Sequence, residues 1–534
     1  MPNPLTTRLE ENTARHPAKA AFIFRQPNGT WGRLTYTEFA DLCQRFEHGL
    51  LALGLPPGAQ AVLMAPPGLD FFALTFALVK VGLTPLIIDP AIGFKNVATC
   101  LAECQPQIFI GNRLTHTLRW IYGWGRGSLL HRLSLPGILR AARRLPSPAA
   151  GAPPDTAAAA IIFTSGSTGL PRGAIYTHDN LLAQVESLQN ALDLRGDEID
   201  LPAFPVFALL DLLLGVTAVV PDLSFPQPAR VNPRLMLEAL RLQQVNTLFA
   251  SPVVLDRINR YAAQHPTRLD SLKQVITAGA PAPAAVLEAF YKHLPPSAKI
   301  FGVYGATEAL PICLVDCQQI LDETRFASAQ GAGVCVGHPA PGMTIKIIPI
   351  SDEPLPEGQP IQELPAGQVG EIVVSGRAVT QAYTGRPEHT RLAKIRGPQG
   401  QLSHRTGDLG YFDPHGRLWY GGRKAHRVAS PARLLFSEQV EGIFNAHPEV
   451  YRTALVGVFI DKQLEPVLWV ELKKGVPTQQ QEKIRQELLE RAAHFEISQA
   501  VRFILFHPAF PTDVRHNSKI IREKLAELAH KRLA

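Results

Sequence analysis

A chain of 534 residues is too long for one ordinary domain; at about 150 residues per domain it holds three or four folding units, some of which can merge into one lobe. Hydrophobic residues make up 46% and charged residues 19%, which excludes a mostly disordered chain and supplies a sizeable core. The net charge of +7 suits a polyphosphate, an anionic membrane surface or nucleic acid, but no nucleic-acid-binding module is recognisable, so no nucleic-acid partner is expected.

Met1 to Ala18 carries charges and no apolar segment, so a signal peptide is not expected. Tyr36 to Leu53 has helical periodicity behind the N-cap candidate Thr35. Ala61 to Met64 reads as a strand, Leu69 to Val81 as a helix, and Leu86–Ile88 and Ile108–Ile110 as further strands. This alternation predicts an α/β fold with mostly parallel sheets. Arg113 to Pro154 breaks the pattern: it holds seven arginines, no acidic residue, and interleaved Trp120, Tyr122 and Trp124, and it ends in a Pro/Ala-rich linker. It reads either as a surface insertion with solvated arginines or as a basic amphipathic patch for a membrane or a partner enzyme.

The apolar run Phe204 to Val220 contains Asp211 and reads as a buried segment, since no stretch of about 18 uncharged apolar residues spans a membrane. From Arg230 to Ile300 the α/β alternation resumes. Gly331 to Gly376, with apolar runs at Thr344–Ile348 and Glu371–Val374, predicts an antiparallel β subdomain. After Arg423 a small α+β unit is expected: helix Ser437–Asn445, strands Arg452–Val458 and Val467–Leu472, helix Gln480–Ala493 and strand Ala500–Leu505. The predicted division is a large lobe, 1–423, made of two α/β sheets plus the β subdomain, and a small lobe, 424–534. Six cysteines form no CxxC pair and no zinc spacing. Cys100/Cys104 and Cys313/Cys317 are expected to fill helical core positions, and reduced thiols fit a cytoplasmic location.

The segment carrying the most chemistry is Ile161-Ile-Phe-Thr-Ser-Gly-Ser-Thr-Gly-Leu-Pro-Arg-Gly173. A β run feeds a loop in which Gly166 and Gly169 free the backbone to wrap a phosphate. Thr164, Ser165, Ser167 and Thr168 add hydroxyl donors, and Arg172 adds fixed charge. The Gly-Lys-Ser/Thr ending of a Walker loop is missing. The segment resembles the phosphate loop of the adenylate-forming superfamily, which includes acyl-CoA synthetases, peptide-synthetase adenylation domains and luciferases. Further matches follow in order: Tyr304-Gly-Ala-Thr-Glu308 (with Gly305), Gly370 to Gly376, Arg405-Thr-Gly-Asp408, Gly422-Arg423 and Asn517-Ser-Lys519.

The resemblance implies ATP and Mg2+ as cofactors and a carboxylate that attacks the α-phosphorus, two anions that cations must bridge. Glu308 and the Thr164 hydroxyl would hold the metal, and Thr307 would sit at the α-phosphate. Asp408 would accept the ribose hydroxyls, Arg423 would approach ribose or phosphate, and Tyr304 would stack on adenine. Ala278, Gly279, Ala280 and Pro281 would form a backbone wall. Lys519, on a mobile small lobe, would contact the α-phosphate and the substrate carboxylate, and the lobe would pivot at Ala425, where the family usually has Asp or Lys. Arg172 also departs from the commoner lysine.

A narrower resemblance is to the β-lactone synthetases of long-chain olefin biosynthesis. It is carried by Tyr304 to Pro311, Gly416 to Arg427, Arg452 to Gly457 and Asp513 to Lys519. It implies a fatty-acid-like substrate with an α-alkyl chain and a β-hydroxyl that attacks the adenylate itself. CoA ligases continue after the arginine motif into a glycine-containing strand that lets pantetheine pass; here the continuation, Ala429 to Glu438, has no glycine. CoA is therefore expected only under the alternative, a fatty acyl-CoA ligase with a rerouted strand. Phe207, in a segment that is either acyl pocket or core, and His426 are the candidate substrate-side residues.

Overall fold

The computed structural model describes residues 3–66, 68–143, 158–164, 170–221, 230–512 and 519–533. The phosphate-loop residues Ser165, Gly166, Ser167, Thr168 and Gly169, the Pro146–Pro154 linker and the Asp513–Ser518 motif lie outside them.

The predicted first helix is Tyr36–Ala52, and its start is fixed by a capping box. The Thr35 N–H donates to Glu38 Oε2 at 2.7 Å, and the Glu38 N–H donates to Thr35 Oγ1 at 3.2 Å. Its inner face buries Tyr36, Phe39, Phe46 and Leu50. Phe22 packs there too, with its ring centroid 5.4 Å from Phe39 and 5.1 Å from Phe72 on the helix Leu69–Lys80. These rings anchor one core.

Two large sheets carry the rest of residues 1–423. In the first, six parallel neighbours run Ala20–Arg25, Thr217–Val220, Ile199–Pro202, Thr247–Ala250, Gln274–Ala278 and Lys299–Ala306. The same sheet then turns antiparallel through Ala309–Asp316, Val334–Pro339, Leu418–Arg423, Leu402–Phe412, Gly370–Ser375 and Thr344–Ile348. The predicted β subdomain is therefore hydrogen-bonded onto the end of an α/β sheet. The second sheet has seven strands, ordered Ala382–Tyr383, Gly173–Tyr176, Ala160–Phe163, Thr84–Ile87, Gln60–Met64, Ile108–Gly111 and His131–Leu133.

The arginine-rich segment is not a simple surface insertion. His131–Leu133 forms the edge strand of the second sheet, parallel to Ile108–Gly111, and Trp124 and Ile138 are fully buried. Of the two cysteine pairs, Cys100 and Cys104 share the helix Phe94–Cys104 as expected. Cys313 instead lies on the strand Ala309–Asp316, where period-2 alternation rather than helical spacing buries it.

Among the described residues, the strands beyond Arg423 pair only with one another. The predicted strand Arg452–Val458 is Val450–Ile460, extended into a hairpin with Gln463–Leu472 by a two-residue turn. Both turn residues, Asp461 and Lys462, have positive φ, which matches the strand twist. The last strand begins at Phe503 rather than Ala500, because the Ser498 hydroxyl donates to Ala492 O at 2.8 Å and ties the preceding turn to the helix Gln481–Ala493. The helix Ser437–Asn445 has its predicted bounds. Among the described residues no helix is long and apolar enough to cross a membrane.

Candidate active site

The neck of the glycine-rich loop is a hairpin. Ala160–Phe163 pairs antiparallel with Gly173–Tyr176, and one step further Thr164 faces Arg172. The Thr164 N–H donates to Arg172 O at 2.9 Å, and the Arg172 N–H donates to Thr164 Oγ1 at 3.2 Å. The two residues assigned to phosphate and metal thus close the loop at its base. The Arg172 guanidinium lies 5.6 Å from the centroid of the Tyr383 ring. Beside it opens a cavity of about 480 Å3 lined by Arg172, Arg386 and His389, among others.

Thr307 and Glu308 are the two turn residues between Lys299–Ala306 and Ala309–Asp316, whose last pair is Ala306↔Ala309. A two-residue hairpin turn pushes both side chains off the sheet end. Gly305 permits the close turn, since a Cβ there would stand 2.6 Å from Leu310 Cδ1. Two tyrosines from the second sheet hold this tip: the Tyr383 hydroxyl donates to Glu308 Oε1, and the Tyr176 hydroxyl donates to Thr307 O. The Thr380 N–H donates to Glu308 O at 2.9 Å, and buried Lys394 donates to Thr380 Oγ1 at 3.1 Å. Burial pushes the Lys394 ammonium down to about 7, with Glu308 acting in the opposite direction.

Asp408 sits almost fully buried on the strand Leu402–Phe412. Gly407, at φ +72°, turns the backbone there, and the Asp408 N–H donates to Thr406 Oγ1 at 3.1 Å. The Tyr304 hydroxyl donates to Asp408 Oδ2 at 2.6 Å. Arg423 Nε lies 3.1 Å from Asp408 Oδ1 as an ion pair, yet Oδ1 accepts no hydrogen bond. A buried carboxylate oxygen left open beside a guanidinium is the acceptor a ribose hydroxyl needs, so the residues present fit a nucleoside. Burial raises the Asp408 carboxyl, while Arg423, the Tyr304 hydroxyl and Lys519 pull it down. Arg423 is held charged chiefly by Asp408.

Lys519, 111 residues away in sequence, is within electrostatic reach of Asp408 and is the weakest of the influences on its carboxyl. Ala278 ends the strand Gln274–Ala278, and Gly279 follows at φ +92°, starting the loop that contains Ala280 and Pro281. His426 ends a short 3-10 turn, Lys424–His426. Burial, Arg522 and Arg423 push its imidazole down to about 3, and its buried Nε2 has no hydrogen-bond partner. Ala425 in the middle of this turn is exposed, and Lys424 is clamped to Glu371 Oε1 at 3.1 Å and donates to Ser351 O at 2.6 Å. Phe207 lies further off, 4.2 Å from Phe249 between ring centroids, at the head of the mostly buried helix Ala208–Leu214.

Tyr176, Tyr383, Thr380 and Lys394 were not legible as site residues. They lie outside the motifs and reach the Thr307–Glu308 tip only because the two sheets meet there. The sole hint was Tyr176, three residues past the glycine-rich loop. Among the described residues no cluster of three or more His, Cys, Asp or Glu side chains forms a metal cage. One carboxylate and one hydroxyl suit Mg2+ bound mainly through phosphate oxygens and water.

Comparison with known proteins agrees with this geometry. The profile of the AMP-binding enzyme family matches residues 9–384. The chain is 41% identical over 507 residues to the olefin beta-lactone synthetase of Xanthomonas campestris pv. campestris, covering 92% of this chain and 90% of the relative. It is 40% identical over 508 residues to the enzyme of the same name from Stenotrophomonas maltophilia, with the same coverage of 92% and 90%. In fold it is similar to ATP-bound MatB from Rhodopseudomonas palustris (TM-score 0.80, 20% identity, all of both chains). It is also similar to O-succinylbenzoate Coenzyme A synthetase from Bacillus subtilis with AMP (TM-score 0.77, 19% identity, 98% of each chain). The chain belongs to the AMP-binding enzyme family and is an AMP-forming ligase that activates its substrate as an adenylate.

Proposed function

We propose that the protein uses ATP to activate a long-chain α-alkyl-β-hydroxy fatty acid and then closes that acid into a β-lactone. In the first step a carboxylate oxygen bonds to the α-phosphorus and the bond to pyrophosphate breaks. In the second, the substrate's own hydroxyl oxygen bonds to the acyl carbon, the bond to AMP breaks, and the hydroxyl proton passes to a base. A tethered nucleophile has a very high effective concentration, so no CoA is needed.

The observation that carries the reading is Asp408, buried with an open Oδ1 beside Arg423 and within electrostatic reach of Glu308 and Lys519. Asp408 would hold the ribose, with Tyr304 and the Ala278–Pro281 loop around the base. Thr307, Arg172 and the Thr164–Gly169 loop would hold the phosphates. Mg2+, held by Glu308 and Thr164, would neutralise phosphate charge so that a second anion can approach. Lys519 would offset the charge developing between the carboxylate and the α-phosphate. Residues 424–534 would act as a lobe pivoting at Ala425.

The lactone step is supported by the two olefin beta-lactone synthetases at 40–41% identity and by the absence of glycine from Ala429 to Glu438. His426, neutral and with an open Nε2, is the candidate to hydrogen-bond the substrate hydroxyl in the second half-reaction. The alternative is a fatty acyl-CoA ligase. A non-catalytic adenylate-binding protein would not need Lys519 at the site.

The deciding experiment supplies purified protein with ATP, Mg2+ and a fatty acid with or without the 3-hydroxyl. AMP release with the hydroxy acid alone, without CoA, is expected. A CoA requirement and a thioester product would establish the ligase, and no adenylate from any acid the non-catalytic protein. Lys519→Ala should lower acid-dependent pyrophosphate formation by roughly 100-fold or more while ATP binding persists.

A further inference from the structure

The surface between Arg113 and Leu133 is built unlike the rest of the protein. The helix Arg113–Tyr122 has no fully buried residue, although half of its residues are apolar or aromatic. Leu114, Trp120 and Ile121 on it are 65%, 79% and 58% exposed, and Leu130, just before the edge strand, is 71% exposed. An isolated exposed leucine needs no explanation, but four large apolar side chains on one short stretch do.

The charge beside them has one sign. From Arg113 to Pro154 there is no Asp or Glu. A cavity of about 560 Å3 opens in this stretch, lined by Arg119, Arg126 and Arg132 together with Trp120 and Trp124. Arg119 lies with its Nε buried and without a hydrogen-bond partner, its guanidinium 5.9 Å from the Phe109 ring centroid. Burial and the neighbouring Arg132 both act against its charge, and no carboxylate answers it. Three guanidinium groups around one hollow with an unused buried donor form a place for a phosphate. Tryptophan and aliphatic side chains standing out beside arginines are the chemistry of a bilayer interface, where the rings sit at headgroup depth.

We propose that this face docks on anionic phospholipid bilayers, with a lipid phosphate in the Arg119–Arg126–Arg132 hollow and Leu114, Trp120, Ile121 and Leu130 entering the acyl boundary. Docking there would let a two-chain acid reach the enzyme without crossing water. The docking is independent of the lactone step and is measured without ATP or acid, so its failure would leave the proposed reaction untouched.

The test is sedimentation of the full chain with vesicles of phosphatidylglycerol or of phosphatidylcholine. A Trp120→Ser/Ile121→Ser variant and an Arg119→Gln/Arg126→Gln/Arg132→Gln variant are run alongside. The wild type should prefer phosphatidylglycerol. The arginine variant should lose that preference by roughly 100-fold, about a factor of five per charge. The Trp120/Ile121 variant should bind roughly tenfold more weakly to both vesicles. Inorganic phosphate at matched ionic strength should not displace the wild type, because the apolar side chains add to the lipid contact. Equal binding to the two vesicles, or wild-type binding by both variants, would overturn the proposal. So would a fall from dimer to monomer in the Trp120/Ile121 variant with vesicle binding unchanged, which would make the face a contact between copies of the chain.

Discussion

The Tyr304 hydroxyl and the Asp408 carboxylate meet at 2.6 Å, joining the last parallel strand of the first sheet to a strand of its antiparallel half. The phenol proposed to stack on adenine thus orients the carboxylate proposed to hold the ribose. Tyr304→Phe removes one hydrogen bond to a buried charged group, about 1.5 kcal/mol. The KM for ATP should rise roughly tenfold, with a much smaller change in kcat, as steady-state pyrophosphate release will show. A kcat loss without a KM change would contradict this assignment.

Lys394 is a buried ammonium behind the Glu308 tip, pushed down to about 7 from an ordinary 10.5. Its unfolded state binds the proton more tightly, so the native state is penalised most below about pH 7 and the penalty fades as pH rises toward 10.5. Lys394→Met should therefore raise the melting temperature at about pH 6 more than at about pH 9. Thermal denaturation at the two pH values checks the sign.

The opposite pH dependence is expected from two buried carboxyls, Asp200 on the strand Ile199–Pro202 and Asp211 on the helix Ala208–Leu214. Burial raises both, Asp211 to about 8, and each keeps one oxygen without a hydrogen-bond partner. The folded state holds protons the unfolded chain releases, so stability falls as pH rises from about 4, and the Asp211 part of the fall levels off above about 8. Asp211→Asn should flatten the Asp211 part of that decline between about pH 5 and pH 9, measured as the midpoint of urea unfolding.

Glu371 is fully buried with Arg405 at 2.6 Å on one side and Lys424 at 3.1 Å on the other. Replacing it with Gln leaves two cations without their carboxylate. Glu371→Gln should cost about 3–5 kcal/mol in chemical denaturation, the range for a broken buried pair. Because Lys424 precedes Ala425, the proposed pivot, the variant should also alter the step after adenylation. Single-turnover measurement separates that step from pyrophosphate release.

The motifs were legible because they are local. Thr307 and Glu308 come from a hairpin whose tip must be two residues, and Asp408 follows a glycine whose left-handed φ only that residue takes easily. Helix bounds at Tyr36 and Ser437 were readable for the same reason, since capping and periodicity are short-range. Tyr383 and Tyr176 were not, because nothing near them in sequence marks them; they matter only where the edge of one sheet faces the end of another.

The sequence by itself determined which residues the proposed chemistry can draw on: a glycine- and hydroxyl-rich loop for phosphate, Asp408 for ribose, Lys519, and an α/β frame to hold them. Only the tertiary structure decided that Asp408 is oriented by Tyr304, that Glu308 is steadied by Tyr383, and that the arginine-rich stretch completes a sheet edge while leaving Trp120 in solvent. Backbone propensity and motif spacing act within a few residues, whereas burial, ion pairing and the desolvation that shifts Lys394 and Asp211 depend on which surfaces the long crossover connections bring together.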